Sequence, residues 1–97
     1  MRGANLRPRA VAVLCALRAG PRSRVDIHVA IGDESTAATV DLLGDLRDLK
    51  MVGQLVGDAR WYLDRDGIGW LEFNGLPVSS DATLSANRHR KMAGGRS

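Results

Sequence analysis

A catalytic or metal site in this chain of 97 residues would have to be built from two histidines, one cysteine and 11 acidic residues. His28 and His89 stand apart from each other and from any cluster of carboxylates. Neither offers the paired arrangement that a metal ion or an acid–base couple needs. The single Cys15 excludes an internal disulfide and a cysteine-based zinc site, and reads as a small core residue of the first helix. The acids recur at helix starts and on helix surfaces. Gly67-Ile68-Gly69 lies within a helical pattern and lacks the strand before it and the spacing after it that a phosphate-cradling loop requires. These residues predict no enzyme, no cofactor and no metal.

The abundant chemistry is that of guanidinium. Lysine and arginine total 14 and the formal net charge is +3. Arg2, Arg7, Arg9, Arg18, Arg22 and Arg24 load the first quarter, and Arg88, Arg90, Lys91 and Arg96 load the last ten residues, while the stretch from Asp26 to Asp48 is acidic. Basic residues clustered on both flanks suit an anionic partner.

The elements that must position these charges follow from apolar spacing. Pro8 suits a first helical turn, and Ala10, Val13, Leu14 and Leu17 fall at i, i+3, i+4 and i+7, predicting a helix over 8–19 ended by Gly20-Pro21. Ser23 with Asp26 resembles a capping box for a second helix over 24–31 that buries Ile27, Ala30 and Ile31 and stops at Gly32. Ser35 caps a third helix over 36–50. Its inward stripe is centred on Leu42, Leu46 and Leu49 and flanked by Ala38, Thr39 and Leu43; Ala37, Val40, Asp41, Gly44, Asp48 and Met51 face outward. Gly44 would weaken this helix unless it permits a close approach. Val52–Val56 and Ala59–Leu63 flank Gly57-Asp58 and read as a hairpin of type I′ or II′, with Trp61 in the core. Asp64 caps a fourth helix over 65–74 that turns Ile68, Trp70 and Leu71 inward and ends at Gly75 and Pro77. Residues 1–7 read as a flexible basic arm, 8–75 as one domain, and 76–97 as a basic, flexible tail, since Leu84 and Met92 are too few to bury a face; a short helix from Asp81 to Lys91 is the alternative there. No apolar run approaches the ~20 residues of a membrane span, and Ala10–Leu17 reads as a core helix, not as part of a leader.

The order helix, short helix, turn, long helix, hairpin, helix resembles the winged helix-turn-helix domains of the MarR-, ArsR- and PadR-like prokaryotic regulators over about residues 8–75. The resemblance rests on Asp26-Ile27 with Ile31-Gly32 in the positioning helix. It rests also on Leu42-Leu43, Leu46 and Met51-Val52 around the third helix, and on Arg60-Trp61-Tyr62-Leu63-Asp64 with Gly67 and Leu71 after it. It implies a mainly α fold with a small β-hairpin, the wing spanning 54–63. It also implies double-stranded DNA as partner, a role in transcription in a bacterium or phage, and a possible homodimer through helix one, helix four or the tail. His28 departs by standing where a small residue is usual against the recognition helix, and Lys50 by standing where a glycine is typical.

Under that resemblance, phosphate contacts would come from Arg7, Arg9, Arg22, Arg24, the wing residue Arg60, and Arg88, Arg90 and Lys91. Base contacts fall to Ser35, Thr36 and Arg47, because the outward face of helix three is otherwise acidic or apolar and direct readout needs hydrogen-bonding side chains. The alternative is a protein-interaction module on the same scaffold, docking a partner or a second copy on Val40, Asp41, Gly44, Asp48 and Met51. The lone thiol fits a reducing cytoplasm, with nucleoid association if DNA is bound.

Overall fold

The computed structural model describes residues 6–32, 35–55, 57 and 59–86. The chain is mainly helical with one small antiparallel hairpin: α1 Pro8–Ala16, α2 Arg24–Ile31, α3 Thr36–Asp48, β1 Val52–Gln54, β2 Trp61–Leu63 and α4 Arg65–Phe73. A further helix, α5, occupies residues 80–86 up to the edge of the described chain. Among the described residues no helix is long and apolar enough to cross a membrane.

Pro8 opens α1, and Val13, Leu14 and Leu17 are fully buried. The helix stops at Ala16, three residues short of the expected 19. There the Leu17 N–H divides between the Val13 and Leu14 carbonyls, and the chain tightens into turns toward Gly20. α2 starts on Ser23, whose hydroxyl accepts from Asp26 N–H at 3.1 Å, and ends on Gly32 in the left-handed region at φ 66°. Ile27 is buried and Ile31 packs against the core, but Ala30 is exposed, contrary to expectation. Two turns of helix present only one narrow stripe to α1 and α3.

The end of α3 corrects the sequence reading most. The helix closes at Asp48, and Leu49, expected inside, is 41% exposed as the C-cap. Lys50 then takes φ 64°. Its N–H donates to the Arg47 carbonyl and that of Met51 to the Leu46 carbonyl, both at 3.0 Å, forming a Schellman motif. Reversal of the chain at Lys50 swings Met51 inward, where it is fully buried. Met51 was expected on the outer face because the helical period was projected past the end of the helix. It cannot belong to an exposed partner surface. α4 ends the same way. Gly75 at φ 77° donates to Glu72 and Leu76 to Leu71, with glycine at the position where α3 carries lysine.

In the hairpin, Val52 pairs with Leu63, Gly53 with Tyr62 and Gln54 with Trp61, the register that a two-residue turn at 57–58 requires. The ladder covers three residues per strand and begins at Val52, not at 54. Leu55 N–H still reaches the Arg60 carbonyl, but Ala59 at φ 63° breaks the extended run before β2. Trp61 also exchanges both backbone hydrogen bonds with Arg22, so β2 is paired on each side. Asp64 caps α4, accepting from Arg65 N–H at 2.8 Å, while its own N–H donates to the Met51 carbonyl. Gly67 lets α4 lie directly on that carbonyl, which a Cβ would overlap. Gly44 does the opposite: among the described residues nothing lies within 4 Å of the Cβ it lacks, so no close approach there accounts for it.

Residues 76–86 are packed, contrary to the expectation of a loose tail beginning after 75. Arg18 Nε donates to the Pro77 carbonyl at 2.7 Å, Ser79 N–H donates to the Arg18 carbonyl at 2.9 Å, and Ser79 caps α5. Ala82 and Ala86 are buried. Leu76 and Val78 pack against the core, and small side chains and hydrogen bonds to Arg18 hold the rest of the segment.

Candidate nucleic-acid interface

The outer sides of α2, α3 and the hairpin enclose an open cleft of about 490 Å³. Arg24 reaches it from the first turn of α2, Val40, Gly44 and Arg47 from α3, and Gln54, Ala59 and Trp61 from the hairpin. Each placement has a local cause. Ser23 caps α2 and sets Arg24 at its first position. The period of α3 brings Val40, Gly44 and Arg47 to one side. Arg47 lies over the Trp61 ring with its guanidinium carbon 5.8 Å from the centroid, a cation–π contact that holds the charge at the cleft edge. No carboxylate among the described residues pairs with Arg24 or Arg47. Two guanidinium groups thus share one concave surface without a compensating carboxylate among the described residues, and their mutual repulsion falls when an anion enters.

The other expected contacts are dispersed. Arg22 is exposed, but its Nε donates to the Ala16 carbonyl at 2.8 Å, and it borders a separate hollow with Asp26. Arg60 lines a cavity of about 390 Å³ with Asp81 and Leu84 of α5, away from the Arg24–Arg47 cleft that the preceding Ala59 borders. Arg60, whose carbonyl still pairs with Leu55, and Trp61 after it face opposite sides, Trp61 toward the cleft. Arg7 is the exposed N-cap of α1 and Arg9 is exposed two residues on. Arg88, Arg90 and Lys91 lie outside the described residues. Ser35 is occupied as the α3 cap, accepting from Ala38 N–H at 3.1 Å, and Thr36 is exposed beside it. Of the three expected base contacts, Arg47 alone lines the cleft.

α3 carries two outward stripes. Val40, Gly44 and Arg47 face the cleft, and Asp41, Asp45 and Asp48, all exposed, follow at i, i+4 and i+7 on the adjoining side. Inside, His28 Nδ1 is 2.8 Å from the hydroxyl of fully buried Thr39, tying α2 to α3 where a small residue was the family expectation. Gln54 was not singled out from sequence. It occupies the cleft because β1 begins at Val52, and its amide nitrogen donates across the hairpin to the Ala59 carbonyl at 3.2 Å. Burial, and secondarily the Asp64 carboxylate, push the Tyr62 phenol above its ordinary value. Among the described residues no group of three histidine, cysteine or acidic side chains is placed to hold a metal ion. Comparison of the chain with protein-family models, curated proteins and solved structures gives no match.

Proposed function

We propose that the chain is a small winged helix-turn-helix protein that binds double-stranded DNA through phosphate contacts and serves in transcriptional regulation. The observation that carries this reading is the convergence of Arg24 and Arg47, without carboxylate partners among the described residues, on one open cleft between α3 and the hairpin. The bridge from Arg22 to Trp61 supports it by fixing the hairpin as a rigid wing beside α3. Base readout is weak in this reading: Arg47 and Gln54 are the hydrogen-bonding groups that α3 and β1 bring to the cleft, and the stripe of Asp41, Asp45 and Asp48 repels phosphates on its far side. Arg60 is a flanking contact on another face.

Titrating duplex DNA at several salt concentrations tests the proposal. Each phosphate neutralised contributes a slope of about −0.9 in log K against log salt, and Arg24→Gln with Arg47→Gln should flatten the slope by about 2. A chain that binds no duplex at low salt, or whose slope is unchanged in the double variant, is not this protein. A second reading, a protein-interaction module in the cytoplasm, is favoured by the exposure of Val25, Val29 and Val40, which phosphates do not use. Its surface is Val40, Asp41, Gly44 and Asp48, without Met51.

A further inference from the structure

The cleft has features that DNA leaves unexplained. Its floor is apolar, with Val25 58% and Val40 45% exposed, and α3 keeps a helix-weakening glycine at its centre. The empty space over Gly44 is available to another molecule and not to this chain. The occupant is indicated by charge. At about 100° per residue, Val40, Gly44 and Arg47 form one stripe, and Asp41, Asp45 and Asp48 form the next, centred about 100° further round. The positive side of α3, reinforced by Arg24, and its acidic side therefore flank a narrow strip of small and apolar residues.

We propose that this face docks a second copy of the chain, with the two α3 helices side by side and parallel about a twofold axis. Rotation about an axis parallel to α3 sets the acidic stripe of each copy against Arg24 and Arg47 of its partner, twice over, with Val40 and Gly44 at the centre. An antiparallel pair sets acid against acid and arginine against arginine, and is excluded by the same charges. The surface is self-complementary in the way an isologous dimer requires. Dimerisation occupies the arginines assigned above to DNA, so the two associations exclude each other and self-association restrains DNA binding. The dimer itself does not depend on the DNA reading, because it is measured with no DNA present.

The test is sedimentation velocity on three forms of the full chain at low salt. Wild type sediments as a dimer that dissociates at about 1 M salt, where the Debye length is about 3 Å. Arg24→Glu with Arg47→Glu is a monomer by acid–acid repulsion, Asp45→Arg with Asp48→Arg is a monomer by the converse, and an equimolar mixture of the two sediments as a heterodimer. Circular dichroism checks that each variant folds. If either charge reversal fails to fold, the neutral pair Arg47→Gln and Asp48→Asn replaces it, each weakening the wild-type dimer by an order of magnitude or so. Monomeric wild type, dimeric single-sign variants, neutral variants that dimerise as wild type does, or a mixture that stays monomeric each overturns the proposal. Addition of duplex DNA that leaves a confirmed dimer intact overturns the DNA reading alone.

Discussion

Replacing Lys50 by glycine should leave the protein more stable than replacing it by alanine, although no contact is gained. Lys50 holds φ 64° at the end of α3, while its N–H and that of Met51 close the helix on the Arg47 and Leu46 carbonyls at 3.0 Å each. An L-residue in this conformation costs about 1–2 kcal/mol from Cβ against the following carbonyl. Glycine removes that cost but loses about 0.5–1 kcal/mol more conformational entropy on folding. The balance is a gain of about 0.5–1 kcal/mol, or roughly 2–8 °C in Tm for a domain of this size. Lysine also places a positive charge near the negative end of α3, worth about 0.3–1 kcal/mol. Lys50→Ala therefore serves as reference, since it loses the charge and keeps the strain. Urea unfolding of the three proteins, read by tryptophan fluorescence, should give Lys50→Gly at least about 0.5 kcal/mol above Lys50→Ala with equal m values. Equal stability of the two variants would refute the argument that backbone strain resides at residue 50.

Gly44 in α3 and Gly67 in α4 should respond in opposite directions. Gly44→Ala, with open space around the added methyl, should raise stability by about 0.5–1 kcal/mol, measured by denaturation of dilute protein. Gly67→Ala should lower it by about 2 kcal/mol or more despite better helix propensity, because the methyl overlaps the Met51 carbonyl that also receives Asp64 N–H; a neutral result would mean that α4 can shift away. Tyr62 is the sole tyrosine, so absorbance at alkaline pH reports its ionisation alone. With the folded value raised, its contribution to stability is fully present below about pH 10, the ordinary value, and is lost as pH rises through the folded value. Tyr62→Phe should abolish that part of the alkaline decline, which the wild type should retain.

Helix order, the caps at Ser23, Ser35 and Asp64, and the hairpin register around residues 57–58 were legible in the sequence because local chemistry sets each of them. Met51 and Leu49 were exchanged because a left-handed lysine cannot be recognised by composition, whereas the equivalent turn after α4 advertises itself with Gly75. The docking of residues 76–86 was hidden because, beside the partly buried Leu76 and Val78, it depends on Ala82, Ala86 and hydrogen bonds with Arg18, which a count of large apolar residues does not register. At the candidate site, Arg24 and Arg47 were identifiable as charges. Their meeting in one cleft depends on the tertiary placement of α2 against α3. Arg60 was grouped with them by its position in the hairpin, but it faces the side opposite to Trp61, which lines the cleft.

The clasp between Arg18 and Pro77 joins positions 59 residues apart. A closure of that length is entropically disfavoured until the elements between its ends are in place. It should therefore form after the folding barrier is crossed and be the part of the domain whose release begins unfolding. Interactions absent from the transition state lengthen the lifetime of the native state without hastening its formation. Arg18→Ala should leave the refolding rate of the domain nearly unchanged and shorten its native half-life. By this reasoning the persistence of the fold should be governed from the segment that joins α4 to α5, outside the cleft where α2, α3 and the hairpin meet.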